Sequence, residues 1–332
     1  MRFCVRSVRH FRSSFVLIIG FFIFFLSLGN VGYSVSFNSP LPSWQGDVRH
    51  ELIDYIFDVS TPEHPDYIPE THRIAVFDMD GTLLPEKPTY FVFEVAIHYI
   101  EEHYDELASK GTRYQALCEA ARERDYGYLR KNLEETFFMP FEGKTHDYYR
   151  QYCLDAFEKA KNPELGRPLK ELVYQPMIEL IDLLHLRGFR VFIVSGSLQF
   201  CIMAISEKYL HVEESRCIGS IVETDAEIID DAIVFRRGKI SPPINLEDGK
   251  AIRIKLRTGK IPVLAVGNSI DDEWMLRLPG ASPFRHLSCV IDHDDPREFF
   301  YRKEDLIELS KKYKWIVVSM KNHFKKIYAG DN

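Results

Sequence analysis

The stretch Arg73-Ile-Ala-Val-Phe-Asp78-Met-Asp80-Gly-Thr-Leu83 decides how the chain is built. Residues 74–77 form a short, unbroken apolar run rich in branched side chains, which suits a strand buried on both faces of a parallel sheet. The run ends in two carboxylates two residues apart, with Gly81 opening a loop. In open parallel sheets ligands bind beyond the carboxyl ends of the strands, so Asp78 and Asp80 fall where chemistry is expected.

Similar strand-like runs lie at 190–195, 218–223, 263–267, 288–292 and 315–319. Before the first strand, residues 48–59 carry apolar side chains at helical spacing, and Pro62, Pro65 and Pro69 stop the helix. From about residue 90 to 186 the periodicity is mostly helical, with tyrosines and phenylalanines on the apolar faces. Strands alternating with helices predict an α/β fold: a doubly wound parallel-sheet, Rossmann-like core with a helical cap inserted after the first strand. The expected division is 35–88 with 187–332 for the core, and 89–186 for the cap.

The 332 residues, 45% hydrophobic and 27% charged, describe an ordinary globular chain and exclude a disordered or collagen-like one. A net charge of −7 gives no clustered basic surface for a nucleic-acid backbone, so no nucleic-acid partner is expected. Residues 1–34 differ from the rest. Arg2, Arg6, Arg9 and Arg12 precede an apolar run at 15–28, and Gly32 and Ser34 stand at the −3 and −1 positions of a cleavage site. That order is the layout of a secretory signal peptide, and the run is short for a bilayer span. The expectation is export, periplasmic or secreted, with membrane contact only through this segment if it stays uncleaved as an anchor. Beyond Cys4, the five cysteines 118, 153, 201, 217 and 289 are widely and irregularly spaced, without a Cys-x-x-Cys pair. They read as small buried hydrophobes, with one bridge at most.

Three predicted strand ends carry polar groups. Asp78 would point out of its strand as a nucleophile, and Asp80 could protonate a leaving alcohol and later deprotonate a water. Ser195-Gly196-Ser197 offers a hydroxyl and backbone amides to phosphate oxygens. Gly267-Asn-Ser-Ile-Asp-Asp272 is an oxygen-rich loop of the kind that suits magnesium. Between the last two, Lys250 could neutralise a transferring phosphoryl group, with Lys255 and Lys260 as rivals.

The order DMDGT, SGS, Lys250, GNSIDD resembles the haloacid dehalogenase superfamily, and most of all its phosphoserine-phosphatase-like branch with a helical cap. The segments 41–44, 67–69, 74–78, 86–88, 293–295, 297–301 and 317–322 are similar to exported bacterial haloacid-dehalogenase-like hydrolases. The resemblance implies that Asp78 forms an aspartyl-phosphate and Asp80 is the acid/base. It also implies that Ser195 holds the phosphoryl group and that Lys250, by its distance from the GNS loop, is the motif lysine. Asp78, the Asp80 carbonyl and the GNS-loop residues Asn268 and Asp272, or Asp271, would hold Mg2+. Asn268 departs from the pattern, since many members have aspartate there; an amide offers an oxygen but no charge. Asp80 favours phosphoryl hydrolysis over carbon–halogen cleavage, because dehalogenases of the superfamily lack an acid at that place.

Gly196, Glu86 and Lys87 are candidate substrate contacts. Tyr90, Phe91, Phe93, Tyr99 and Tyr104 read mainly as cap core, His293-Asp294-Asp295 as a polar loop, and Arg236-Arg237-Gly238-Lys239 as a hairpin tip. The function expected is a magnesium-dependent phosphatase acting on a small phosphorylated metabolite. A phosphotransferase using the same intermediate, a catalytically impaired binding protein and a surface-anchored interaction module stand as alternatives.

Overall fold

The structure, a computed structural model, describes residues 40–331; the expected signal segment at 1–34 lies outside them. Among the described residues the strands are β1 (Ile74–Phe77), β2 (Arg190–Leu198), β3 (Cys217–Ser220), β4 (Val222–Ile229), β5 (Ala232–Ile240), β6 (Leu264–Gly267), β7 (Leu287–Asp292) and β8 (Ile316–Ser319). The helices are α1 (Gly46–Ser60), α2 (Phe91–Glu102), α3 (Tyr104–Ala108), α4 (Thr112–Arg122), α5 (Tyr126–Lys131), α6 (Leu133–Phe137), α7 (His146–Lys159), α8 (Gln175–Leu186), α9 (Gln199–Leu210), α10 (Asp248–Thr258), α11 (Glu273–Arg277), α12 (Glu304–Tyr313) and α13 (Met320–His323).

Six strands make one parallel sheet in the order β3-β2-β1-β6-β7-β8, and β4 pairs with β5 as a separate antiparallel hairpin. Helices cover both faces, as a sheet buried on each side requires. Along β1 the two cores alternate residue by residue. Ala75 and Phe77 join the larger cluster with α1, α2 and α8, whereas Ile74 and Val76 meet Ile254, Met275, Leu276 and Leu306 from α10, α11 and α12. Strand order reverses between β1 and β6. That crevice is where this topology places a ligand.

The helical stretch does lie between β1 and β2, but its last helix departs from the expected limit at 186. α8 packs on the sheet beneath the larger core, and Gln175 N donates to the Ile327 carbonyl at 2.9 Å. A parallel β1–β2 pair needs a crossover helix, and α8 supplies it. Two further differences matter. β2 runs past Ser195 to Leu198, through an irregularity in its pairing with β3. The tip of the β4–β5 hairpin is at Asp230 and Asp231, both at positive φ, and not at 236–239. Arg237 is instead held in the body of β5 against the helical stretch. Its backbone N–H donates to the Lys144 carbonyl at 3.2 Å and its Nη2 to the Phe137 carbonyl at 2.8 Å. The cysteines 118, 153, 201, 217 and 289 are buried and free. No described helix is long and apolar enough to cross a membrane.

Candidate active site

β1, at the centre of the sheet, carries Asp78 to the switch point, where the Asp78 N–H donates to the Val266 carbonyl at 2.9 Å. Beyond it the chain folds back on itself. The Met79 carbonyl accepts from the amides of Thr82 at 3.1 Å and Leu83 at 2.8 Å. Gly81 is required in this turn on two counts: its φ is +85°, and a Cβ would lie 2.0 Å from Asn268 Nδ2.

Lys250, in the first turn of α10, is 2% exposed and reaches across to the nucleophile loop. Its Nζ donates to Asp78 Oδ1 and to Asp272 Oδ1, both at 2.6 Å. Asp272 is fully engaged: its Oδ2 accepts from the amides of Asn268 and Ser269, each at 3.0 Å, and from the Ser269 hydroxyl at 3.3 Å. Ser269 and Asp272 thus form a reciprocal capping box. Asp272 and Asp271 are the two acids expected to supply the metal's anion. The two oxygens of Asp272 fix Lys250 and the β6 loop, and the neighbouring Asp271 is the acid that faces the cavity.

The cluster holds more negative than positive charge. Burial raises the Asp78 carboxyl well above the usual range, Asp272 raises it further, and Lys250 pulls it only partly back. Lys250 stays firmly protonated, because the two carboxylates outweigh the burial that opposes its charge. Asp80 is pushed up to about 6, chiefly by burial. Its Oδ1 accepts from the Phe91 N–H at the start of α2, at 2.9 Å, and its Oδ2 from the Ser197 hydroxyl, at 3.0 Å. Both bonds favour the ionised form and hold Asp80 below where burial alone would leave it.

A cavity of about 280 Å3 opens above these groups, lined by Asp78, Asp80, Ser195, Gly196, Lys250 and Glu86 among others. Six sequence candidates, Glu86 among them, are therefore brought together at one place. Tyr90 and Phe93 from the aromatic run also line it; the rest of its wall is largely apolar, with Leu133, Phe137, Leu198 and Leu246. Lys87 is corrected: it is not among the residues that line the cavity, and its Nζ lies 5.0 Å from the Tyr301 ring centroid, a cation–π contact.

Three supports escaped sequence reading. Ser197 carries no role of its own in the sequence reading, yet it lines the cavity beside Ser195, and its N–H donates to Ser195 Oγ at 3.0 Å. Asn245 bridges the ends of β2 and β3, its Nδ2 donating to the carbonyls of Ser195 and Ile218 at 2.9 Å each; no local pattern marks it. His293, set aside as a polar loop, is buried behind the nucleophile loop. Its Nε2 meets the Gly81 carbonyl at 2.9 Å and its Nδ1 meets Glu298 at 3.1 Å, while Glu298 accepts from Tyr174 at 2.6 Å.

The residues present fit a small hard cation. Lys250 bonds Asp78 through Oδ1, the buried Asn268 offers a side-chain oxygen that accepts only a long 3.4 Å bond from the Thr82 hydroxyl, and Asp78, Asp80, Glu86 and Asp271 outnumber Lys250 and Arg130 around the cavity. Oxygen donors of this type, with surplus negative charge, are what magnesium takes.

Polar side chains gathered at the carboxyl ends of a parallel sheet, at its switch point, mark a Rossmann-like α/β enzyme domain. The chain belongs to the haloacid dehalogenase-like hydrolases, a family that matches it over residues 75–277. Among solved structures it is similar to a conserved functionally unknown protein from Anaerococcus prevotii, with a TM-score of 0.54 and 15% identity over 83% of this chain and 92% of that one. It also matches a phosphoserine phosphohydrolase-like protein from Francisella tularensis (TM-score 0.40, 16% identity, 74% of this chain, 94% of that one). A third match is a probable phosphoserine phosphatase from Vibrio cholerae (TM-score 0.38, 15% identity, 76% and 67%). At these identities the first match speaks for the fold alone. No curated protein matches the sequence.

Proposed function

We propose that this hydrolase is a phosphatase for small phosphomonoesters, working through a phosphorylated Asp78 outside the cytoplasm. The observation that carries the reading is the placement of Asp78, tied to Lys250 at 2.6 Å, two residues from an acid of pKa about 6 on the same curled loop. A carboxylate nucleophile and an acid poised near neutrality are the two groups that stepwise phosphoryl hydrolysis needs.

In the first step an Asp78 carboxylate oxygen forms a bond to phosphorus as the ester P–O bond breaks. The proton on Asp80 passes to the departing alkoxide. In the second step Asp80, now ionised, takes a proton from water as that water's oxygen bonds phosphorus, and the acyl-phosphate P–O bond breaks to release orthophosphate and free Asp78. Lys250 offsets the charge on the phosphoryl oxygens through both steps, and the Ser195 hydroxyl, on the cavity wall, donates to them. Asp78, the Asp80 backbone carbonyl and the Asn268 side-chain oxygen would hold Mg2+, which supplies further positive charge to the phosphoryl oxygens. The cavity, at about 280 Å3, suits a small metabolite, since ligand pockets run from roughly 300 Å3 upward.

The test is hydrolysis of an aryl phosphate by the purified mature chain in millimolar magnesium, with acid-quenched trapping of phosphoprotein. Label on Asp78, absent in Asp78→Asn together with turnover, is the expected result. Turnover that survives in Asp78→Asn would contradict the mechanism. A wild-type chain with neither turnover nor trifluoroberyllate binding would point to a binding protein instead.

A further inference from the structure

A second cavity, of about 510 Å3, lies between the start of α9, the end of β3, the hairpin and α10. Arg237, Arg253, Arg257 and His146 line it, and no aspartate or glutamate does. On a chain of net charge −7 this is a concentrated positive site. None of the three arginines forms an ion pair among the described residues. Arg253 and Arg257, nearer the surface, each spend one N–H on a backbone carbonyl, of Pro243 and Ser215.

Arg237 is the telling residue. It is 3% exposed, and only its Nη2 is bonded; Nε and Nη1 have no partner, nor does Nδ1 of the buried His146. Its guanidinium lies 4.3 Å from the Tyr149 ring centroid and 5.3 Å from that of Phe141, contacts that orient the fork without neutralising it. Burial lowers its pKa, and the groups that resist this are Tyr149, Cys153 and Cys201, none of them a carboxylate. A buried arginine with no acid is costly, and the planar fork is the group that phosphate oxygens match best. The remaining wall, with Leu198, Phe200, Ile221 and Leu256, is apolar.

We propose that this cavity binds a small organic phosphate, its dianionic head between Arg237, Arg253 and Arg257 and an apolar body against Phe200 and Leu256. The site is distinct from the catalytic cavity: Leu198 and Ser220 form the wall common to both, while Asp78, Asp80 and Lys250 lie on one side only. It does not depend on the phosphatase reading.

The test is calorimetric titration of the full chain with phenylphosphonate, which has no ester oxygen to hydrolyse. Wild type and Asp78→Asn are both expected to bind an equivalent that Arg253→Gln/Arg257→Gln binds at least tenfold more weakly. Arg237→Met should lose it too, while its melting temperature without ligand stays level or rises, because an unpaired buried charge has gone. Should Arg237→Met not fold, the double variant at the cavity mouth decides alone. Binding indifferent to Arg253 and Arg257, or no equivalent in Asp78→Asn, overturns the proposal. Methylphosphonate binding as tightly as phenylphosphonate overturns the apolar subsite.

Discussion

The Ser197 hydroxyl donates to Asp80 Oδ2 across 3.0 Å, so a residue at the end of β2 sets the protonation of an acid at the end of β1. This bond stabilises the ionised carboxylate, and Ser197→Ala removes it. The pKa of Asp80 therefore rises above its present value of about 6. In the proposed cycle, leaving-group departure needs protonated Asp80 and water attack needs it ionised. The alkaline limb of phosphorylation and the acid limb of dephosphorylation should both move to higher pH in Ser197→Ala. Rapid-quench measurement of phosphoprotein formation and decay between pH 5 and 8 reads the two limbs separately; unmoved limbs would remove Ser197 from the mechanism.

The same raised pKa makes Asp80 a burden on the fold. Its carboxyl titrates at an ordinary 3.8 in the unfolded chain and at about 6 in the folded one, so folding is favoured most when it is neutral. Relative stability is complete below pH 4 and is lost as pH climbs through 6. At about 1.4 kcal/mol per pKa unit, the gap is worth about 3 kcal/mol. Asp80→Asn keeps the Phe91 bond through its oxygen and can donate to the Ser197 hydroxyl through its nitrogen, so no buried group is orphaned. In EDTA the variant should be more stable than wild type by up to about 3 kcal/mol at pH 8, with the difference vanishing near pH 4. Urea unfolding at the two pH values checks it. Turnover of an alkyl phosphate should fall by about 10²–10⁴ in the same protein.

Lys250 is the opposite case. Lys250→Met leaves Asp78 and Asp272, each 2.6 Å from the missing ammonium, to repel one another in a buried site. Breaking one side of a buried pair typically costs about 3–5 kcal/mol. The loss should be largest in EDTA at neutral pH and shrink in acid, where Asp78, whose carboxyl is held well above the usual range by burial, protonates. A variant as stable as wild type at pH 7 would show that the two acids are not both ionised there.

What could be read from the sequence was local. β1 and its two aspartates are contiguous, and the apolar run of four residues has few other ways to satisfy its backbone than a central strand. Lys250 and the GNS loop could be matched through the resemblance to the haloacid dehalogenase superfamily, since the residues alone left Lys255 and Lys260 as rivals. The hold of Asp272 on the β6 loop depends on which amides meet its oxygens, although Ser269-x-x-Asp272 is a capping-box pattern already visible in the residues. Arg237 could not be read at all. A basic cluster in a hairpin looks exposed until a distant stretch of chain supplies Phe141, Tyr149 and the Phe137 carbonyl that bury it.

His293 braces the nucleophile loop from behind. The Gly81 carbonyl can only accept, so Nε2 carries the hydrogen, and Glu298 orients the ring from the other nitrogen. His293→Ala takes the imidazole partner from that carbonyl and from Glu298 Oε2, both buried, which costs about 1–3 kcal/mol per group. It also frees the loop that aims Asp78. A shift of about 1 Å at such a position can cost about 10²-fold in rate. The expected signature is a fall in kcat with KM little changed, measured at a temperature where circular dichroism shows the variant folded. A change in KM alone would place His293 outside the support of the nucleophile.

Asn268 gives the sharpest test of the cation. Its side chain is buried against Gly81 and brings an oxygen but no charge to the surplus of acids around Lys250. Asn268→Asp adds a third full negative charge beside Asp78 and Asp272 within a nearly isosteric side chain. Without metal, that charge should destabilise the fold and raise the Asp78 carboxyl further, because like charges in a buried site oppose ionisation. With metal the sign reverses, since an anionic oxygen binds a divalent cation more tightly than an amide. Magnesium should therefore raise the melting temperature of Asn268→Asp more than that of wild type, and half-maximal activity should need about tenfold less magnesium, equivalent to about 1.4 kcal/mol. A variant whose stability and activity respond to magnesium as wild type does would place the cation away from Asn268, and would leave Asp78 and Asp271 as the oxygens to test next.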